Sequence, residues 1–432
     1  MRSTILPVAA VIMGWLCLAL VTGCSVATPI LYHLEVDFTV QDPQFARTVG
    51  QVLGPPLIPG NSVKTLVNGD EIFPAMLEAI ASAKETITFE SYMFCSGDIA
   101  QQFTDALAER ARAGVKVHLL IDWFGSSSGV GSPKTINFKN VKELTDAGAQ
   151  VFQYHVFDPL DGATWSKVDH RTHRKLLIID GRVGFIGGAA IANEWTGHAQ
   201  DPEHWRDTHY RVEGPVVAQL QAAFMEEWME SSGRVLVGEE YFPELRPAGT
   251  QWAQVFKSST NGGSENIQLM MLLSIAAAGK TIRIESAYFL PNRLTEYYLI
   301  KARRRGVRVE IIVPGEHIDE KLVRAASRSS WGPLLQAGVE IYEYQPTMLH
   351  CKQMIIDDAW VSVGSSNQDN RSFRLNGEAN LNVLDTNFAA EQVRLFEVDK
   401  QHSCRVTLKD WQKLPVVEWF GNSFANLLRP EL

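Results

Sequence analysis

The chain has 432 residues, with 40 Lys and Arg against 49 Asp and Glu, and is 45% hydrophobic and 21% charged. That composition excludes a mainly disordered, collagen-like or coiled-coil protein, and the length suits two or three domains. A net charge of −9 speaks against a nucleic-acid partner, and five cysteines without a CxxC pair exclude a disulfide scaffold.

Arg2 precedes an almost wholly apolar run from Ile5 to Leu20, and Val21-Thr22-Gly23-Cys24 follows it. The run is shorter than the roughly 20 residues of a spanning helix but suits the core of a signal peptide. Small residues closed by a cysteine resemble the bacterial lipobox, where cleavage falls before the cysteine and its sulfur takes the lipid. Residues 1–23 therefore read as a lipoprotein signal peptide and Cys24 as the lipidated residue. The expected location is the bacterial envelope, membrane-anchored and facing the periplasm, and Ser25 in place of Asp favours the outer membrane. Residues 24–60, with several Pro and Gly, read as a tether.

The remainder is written twice. Ile87-Thr-Phe-Glu90-Ser-Tyr-Met-Phe94 returns as Ile282-Arg-Ile-Glu285-Ser-Ala-Tyr-Phe289. Ala113-Gly-Val-Lys-Val117 returns as Arg305-Gly-Val-Arg-Val309, and Asp146-Ala-Gly-Ala-Gln-Val151 as Gln336-Ala-Gly-Val-Glu-Ile341. Each copy alternates apolar strands (Thr86–Phe89, Val117–Ile121) with amphipathic helix (Phe103–Ala113), which predicts an α/β fold with a mainly parallel, helix-covered sheet. Residues 61–238 and 264–432 are the two similar domains, and the Gly/Glu/Pro-containing stretch 239–263 is the linker.

The chemistry lies further along each copy. His173-Arg-Lys175-Leu-Leu-Ile-Ile-Asp180 and His350-Cys-Lys352-Gln-Met-Ile-Ile-Asp357 both obey His-x-Lys-x4-Asp, and each leads to a small pair, Gly187-Gly188 and Gly364-Ser365. A spacing of two puts each His and Lys on one face of a strand, where imidazole and ammonium together can hold and attack a phosphate. Asp180 and Asp357 fall on the other face, which assigns them to holding the turns. Cys351 also points away and reads as a packed thiol. The chain has no HExxH, no zinc-ligand set, no GxSxG elbow and no phosphate-binding P-loop, so neither metal nor cofactor is expected.

These two motifs resemble those of the phospholipase D superfamily, and the chain is most similar to bacterial cardiolipin synthases. Further stretches carry the likeness: Asn68-Gly-Asp-Glu-Ile-Phe73, Trp205-Arg-Asp207-Thr-His209, Gly364-Ser365-Ser-Asn367-Gln-Asp-Asn-Arg-Ser-Phe373 and Asn376-Gly-Glu378. The resemblance implies one active site at the interface of two similar domains, and phosphatidyl transfer between phospholipids through a phosphohistidine. By family analogy His173 is the nucleophile and His350 the acid/base. Lys175, Lys352, Asn367 and Ser365 would hold or support the phosphate, with Glu378 orienting His350 and Asp207 orienting His173. Phosphatidylglycerol is the implied acceptor. Hydrolysis to phosphatidic acid is the alternative, ahead of a nuclease or an inactive lipid-binding protein. One departure is Ala190, where an Asn is commonest, with Asn193 nearby as the substitute donor.

Overall fold

The computed structural model describes residues 32–127, 138–157, 160, 164, 167, 169–258 and 266–413. The expected signal peptide, Cys24 and residues 24–31 of the expected tether lie outside the described residues. The elements below belong to one unit, residues 34–432.

The first repeat runs β1 (Ile58–Val67), β2 (Thr86–Ser91), β3 (Lys116–Asp122), β4 (Gln150–Tyr154), β5 (Leu176–Ile179), β6 (Val183–Gly187) and β7 (Thr208–Glu213). The second runs β8 (Gln251–Lys257), β9 (Thr281–Ser286), β10 (Arg308–Pro314), β11 (Glu340–Tyr344), β12 (Lys352–Ile356), β13 (Trp360–Gly364) and β14 (Ala379–Leu384), and β15 (Ser403–Val406) follows. Among the described residues these form one sheet, ordered β15-β11-β10-β9-β12-β13-β14-β8-β1-β7-β6-β5-β2-β3-β4. Read outward from the central β8–β1 pair, both halves show the same order, so the duplicated sequence is a duplicated topology.

Parallel pairing joins β2, β3 and β4, and equally β9, β10 and β11, with helices such as Asp98–Arg112 as crossovers. Each motif strand returns instead as an antiparallel hairpin, β5 to β6 and β12 to β13. The α/β sheet is therefore mixed. The parallel expectation holds only within β2-β3-β4 and β9-β10-β11; the motif hairpins depart from it because a tight turn leaves no room for a crossover, and β15 at the edge is antiparallel to β11.

Alternating residues explain why the strands are apolar throughout. Leu177 and Ile179 join Phe89, Leu119 and Phe185 under the helices Asn68–Ser82 and Asp98–Arg112. Leu176 and Ile178 face the other way, into a core shared with Ile355, Val361 and Leu381 of the second repeat and with Phe224 of helix Val217–Ser232. Both faces are covered, so period-two polarity disappears.

Two segments differ from their sequence reading. The expected tether includes a short helix, Pro43–Thr48, whose fully buried Phe45 packs edge-on against Trp360 at 4.9 Å. Val40 and Val49 bury beside it, so this part is body and not spacer. The expected linker supplies β8, which pairs with both β14 and β1 because Ala253 and Val255 reach the shared core. Among the described residues no helix is long and apolar enough to cross a membrane.

Candidate active site

Each motif begins with a turn problem at its far end. Asp180-Gly181 (φ 50° and 61°) and Asp357-Asp358 (φ 52° and 53°) adopt left-handed backbone that closes the hairpins. The Asp180 carboxylate accepts the backbone N–H groups of Lys84, Glu85 and Thr86, and Asp357 accepts those of Gly279, Lys280 and Thr281. Both carboxylates thus tie the turn to the start of the neighbouring strand, β2 or β9.

At the near end, His173 and His350 stand just before their strands and are held by the opposite repeat. His173 N–H donates to Gly377 O at 2.8 Å, and His350 N–H to Arg206 O at 2.7 Å. Lys175 and Lys352 each turn their Nζ back to the carbonyl of their own histidine at 2.7 Å, so imidazole and ammonium share a side as the spacing requires. All four are buried.

The carboxylate partners are exchanged relative to the sequence reading. Glu378 lies 3.0 Å from Nδ1 of His173, and Asp207 lies 2.7 Å from Nδ1 of His350. Sequence proximity matched each acid with the nearer motif; the bridges across the repeats swap them. Ser365 donates to Glu378 Oε2 and accepts from Ala379 N–H, so its hydroxyl supports the carboxylate and is not free for phosphate. The equivalent position in the first repeat is Gly188, where a Cβ would lie 2.3 Å from Asp207 Oδ1. Only glycine lets Asp207 in, and the Trp195 indole and Thr208 N–H then donate to it at 2.8 Å.

Burial sets the protonation. It lowers His173 to about 4, against the opposing pull of Glu378 and with help from Lys175 and Lys352. It lowers His350 to about 3, assisted by Lys352. Burial also brings Lys175 down to about 7, with Lys352 lowered in the same direction. Burial alone would raise Glu378 and Asp207, but the imidazole and ammonium groups beside each outweigh it and hold both low. The site therefore contains two neutral imidazoles, each backed by an ionised carboxylate on Nδ1, which leaves Nε2 as the reactive nitrogen.

Asn367 is buried, and its Oδ1 has no partner. Asn193 does not replace the amide missing at Ala190: it is exposed, and its Oδ1 accepts Ile99 N–H at the start of helix Asp98–Arg112. Cys351 is fully buried, and burial pushes its thiol up. Glu285, Cys351 and Asp399 come within 4.8 Å of one another, yet Asp399 is spent on Arg206 and burial raises Glu285 to about 8. That cluster is an ion-pair network and not a cation cage.

Sequence reasoning missed several neighbours. Tyr92 sets its ring edge-on to His173 at 5.0 Å and lies 5.3 Å from Lys175 Nζ. Trp195 and Trp205 wall His350 at 5.1 and 5.4 Å. Arg206 makes a two-pronged bond to Asp399 at 3.0 and 2.7 Å. Trp205 and Arg206 stood in a quoted stretch beside Asp207, which was their only local signal; Asp399 had none.

The family model described as "Cardiolipin synthase, PLD-like domain" matches residues 76–228 and 271–400. The chain is 31% identical over 409 residues to "Cardiolipin synthase 1" of Bacillus anthracis, covering 92% of this chain and 78% of that one. It is 33% identical over 380 residues to "Cardiolipin synthase A" of Pseudomonas fluorescens, covering 87% and 76%. A solved phosphatidylserine synthase from Haemophilus influenzae shares the fold, with TM-score 0.67 at 15% identity over 90% of this chain and 99% of that one. Two His-x-Lys motifs on a duplicated sheet, with these relatives, place the chain in the cardiolipin synthase family of the phospholipase D superfamily.

Proposed function

We infer that the protein is a phosphatidyltransferase of the cardiolipin synthase type, working through a phosphohistidine. The observation that carries this reading is the pair of exchanged carboxylate–imidazole contacts flanked by two buried lysines. Nε2 of His173 attacks the donor phosphorus, forming a P–N bond as the headgroup oxygen departs with a proton from His350. The acceptor hydroxyl then returns its proton to His350 and attacks phosphorus, breaking the P–N bond. Burial keeps His350 neutral, and the arriving phosphate supplies the negative charge that draws a proton onto it. Lys175 and Lys352 offset charge on the non-bridging oxygens, and Asn367 adds an amide.

Thin-layer analysis of labelled phosphatidylglycerol tests this directly. Wild type should yield cardiolipin and free glycerol, and His173→Ala neither. Phosphatidic acid as the sole product would replace transfer with hydrolysis.

The body is proposed to be tethered to the outer membrane by lipid on Cys24, on the support of the Val21-Thr22-Gly23-Cys24 pattern and Ser25. Cys24→Ser should fail to give the cleaved, lipid-modified form that wild type gives, and its mass should change accordingly. An unchanged mass would refute the anchor.

A further inference from the structure

The segment between β10 and helix Lys321–Ser329 carries a carboxylate that the reaction described so far does not use. Ile318 pins the segment by burying among first-repeat core residues, and Asp319 follows it, exposed. Tyr288 fixes this carboxylate, its hydroxyl donating to Oδ1 and Oδ2 at 2.8 Å each. Tyr288 is itself built onto the phosphate loop: its carbonyl accepts Gln368 N–H at 3.2 Å, one residue beyond Asn367, and Ser286 Oγ at 2.7 Å. The Asp319 charge is felt by Lys352 and by Tyr92, the ring that lies against His173 and Lys175.

A carboxylate held by the residue that braces the Asn367–Gln368 loop repels phosphate and can only accept hydrogen bonds. It suits a substrate group that donates, and fixing it with a tyrosine removes the ordering cost of that contact. A glycerol headgroup has two adjacent hydroxyls, and only one is needed as the nucleophile. We propose that Asp319, positioned by Tyr288, selects the acceptor by binding the second hydroxyl of a glycerol headgroup while its neighbour attacks phosphorus. The inference rests on the phosphatidyl-transfer reading and adds to it the residues that recognise the acceptor: Asp319 for the second hydroxyl, with Tyr288 positioning it.

The test supplies unlabelled phosphatidylglycerol vesicles with equal concentrations of labelled glycerol and labelled 1-propanol, and reads both phosphatidyl alcohols. Wild type should favour glycerol. In Asp319→Ala the glycerol-to-propanol ratio should fall roughly tenfold to hundredfold, the range of a hydrogen bond to a charged group. Asp319→Asn should fall less, and Tyr288→Phe should move the ratio in the same direction with Asp319 intact. An unchanged ratio, or a parallel loss of both products, overturns the inference and leaves Asp319 as a charge near Lys352. A wild type that yields phosphatidic acid alone overturns the transfer reading and this inference with it.

Discussion

Replacing Glu378 by Gln should cut phosphatidyl transfer by about 10²–10⁴-fold while leaving the fold intact. Glu378 accepts the hydrogen bond of His173 Nδ1–H, which holds the proton on Nδ1 and keeps Nε2 free to attack. A glutamine amide presented to the same atom can donate to Nδ1, which moves the ring proton to Nε2 and blocks the nucleophile. Ser365 would still hold the side chain, so the defect belongs to the tautomer and not to packing. Trapping the labelled intermediate on His173 by denaturation at alkaline pH, where the P–N bond survives, separates the steps: Glu378→Gln should accumulate none. A variant that retains activity within about threefold would remove Glu378 from the orienting role.

Asp399→Ala should be among the most destabilising single changes outside the motifs, by about 3–5 kcal/mol, because it strands the buried Arg206 guanidinium. Arg206 spends Nε and one Nη on Asp399 and the other Nη on the Asp207 carbonyl at 2.8 Å. Its own backbone brackets the second motif, with its N–H on Met348 O and its O accepting His350 N–H. Loss of the ion pair therefore loosens His350 and Asp207 together, and activity should fall with stability. Denaturant unfolding measures the effect. The double variant Arg206→Met/Asp399→Leu should recover most of the stability, since an apolar pair removes the stranded charge. If the single variant unfolds at the wild-type midpoint, the pair contributes nothing.

What could be read from the chain followed from how local each signal was. His173 and Lys175, or His350 and Lys352, are two residues apart, so spacing and strand geometry suffice to place them on one side. The β2–β3 and β9–β10 units were legible because strand, helix and strand alternate over short distances. The carboxylate partners were not, because Glu378 reaches His173 across 205 residues and Asp207 reaches His350 across 143. No periodicity encodes which acid crosses to which ring; the β8–β1 junction and the Thr172–Gly377 and Arg206–Leu349 bridges decide it. β8 was hidden in a Gly- and Pro-containing stretch, where partner strands and not local propensity make the strand. Phe45 gave an apolar signal too short to outweigh its Pro and Gly neighbours. Asp399 was one of three acids on helix Thr386–Gln401, distinguished only by the arginine it neutralises.

The exchange of partners between repeats has a consequence for when the catalyst comes into being. A chain folded as far as β7 contains His173 and Lys175, but the carboxylate that sets the imidazole lies two hundred residues ahead. The second repeat alone has the mirror deficit, its His350 without Asp207. Partly synthesised, truncated or half-folded chains thus carry all the reagents of one motif and none of its activation. Competence appears in one step, at closure of the whole polypeptide, so the activity that rearranges phospholipids is withheld until the protein is finished.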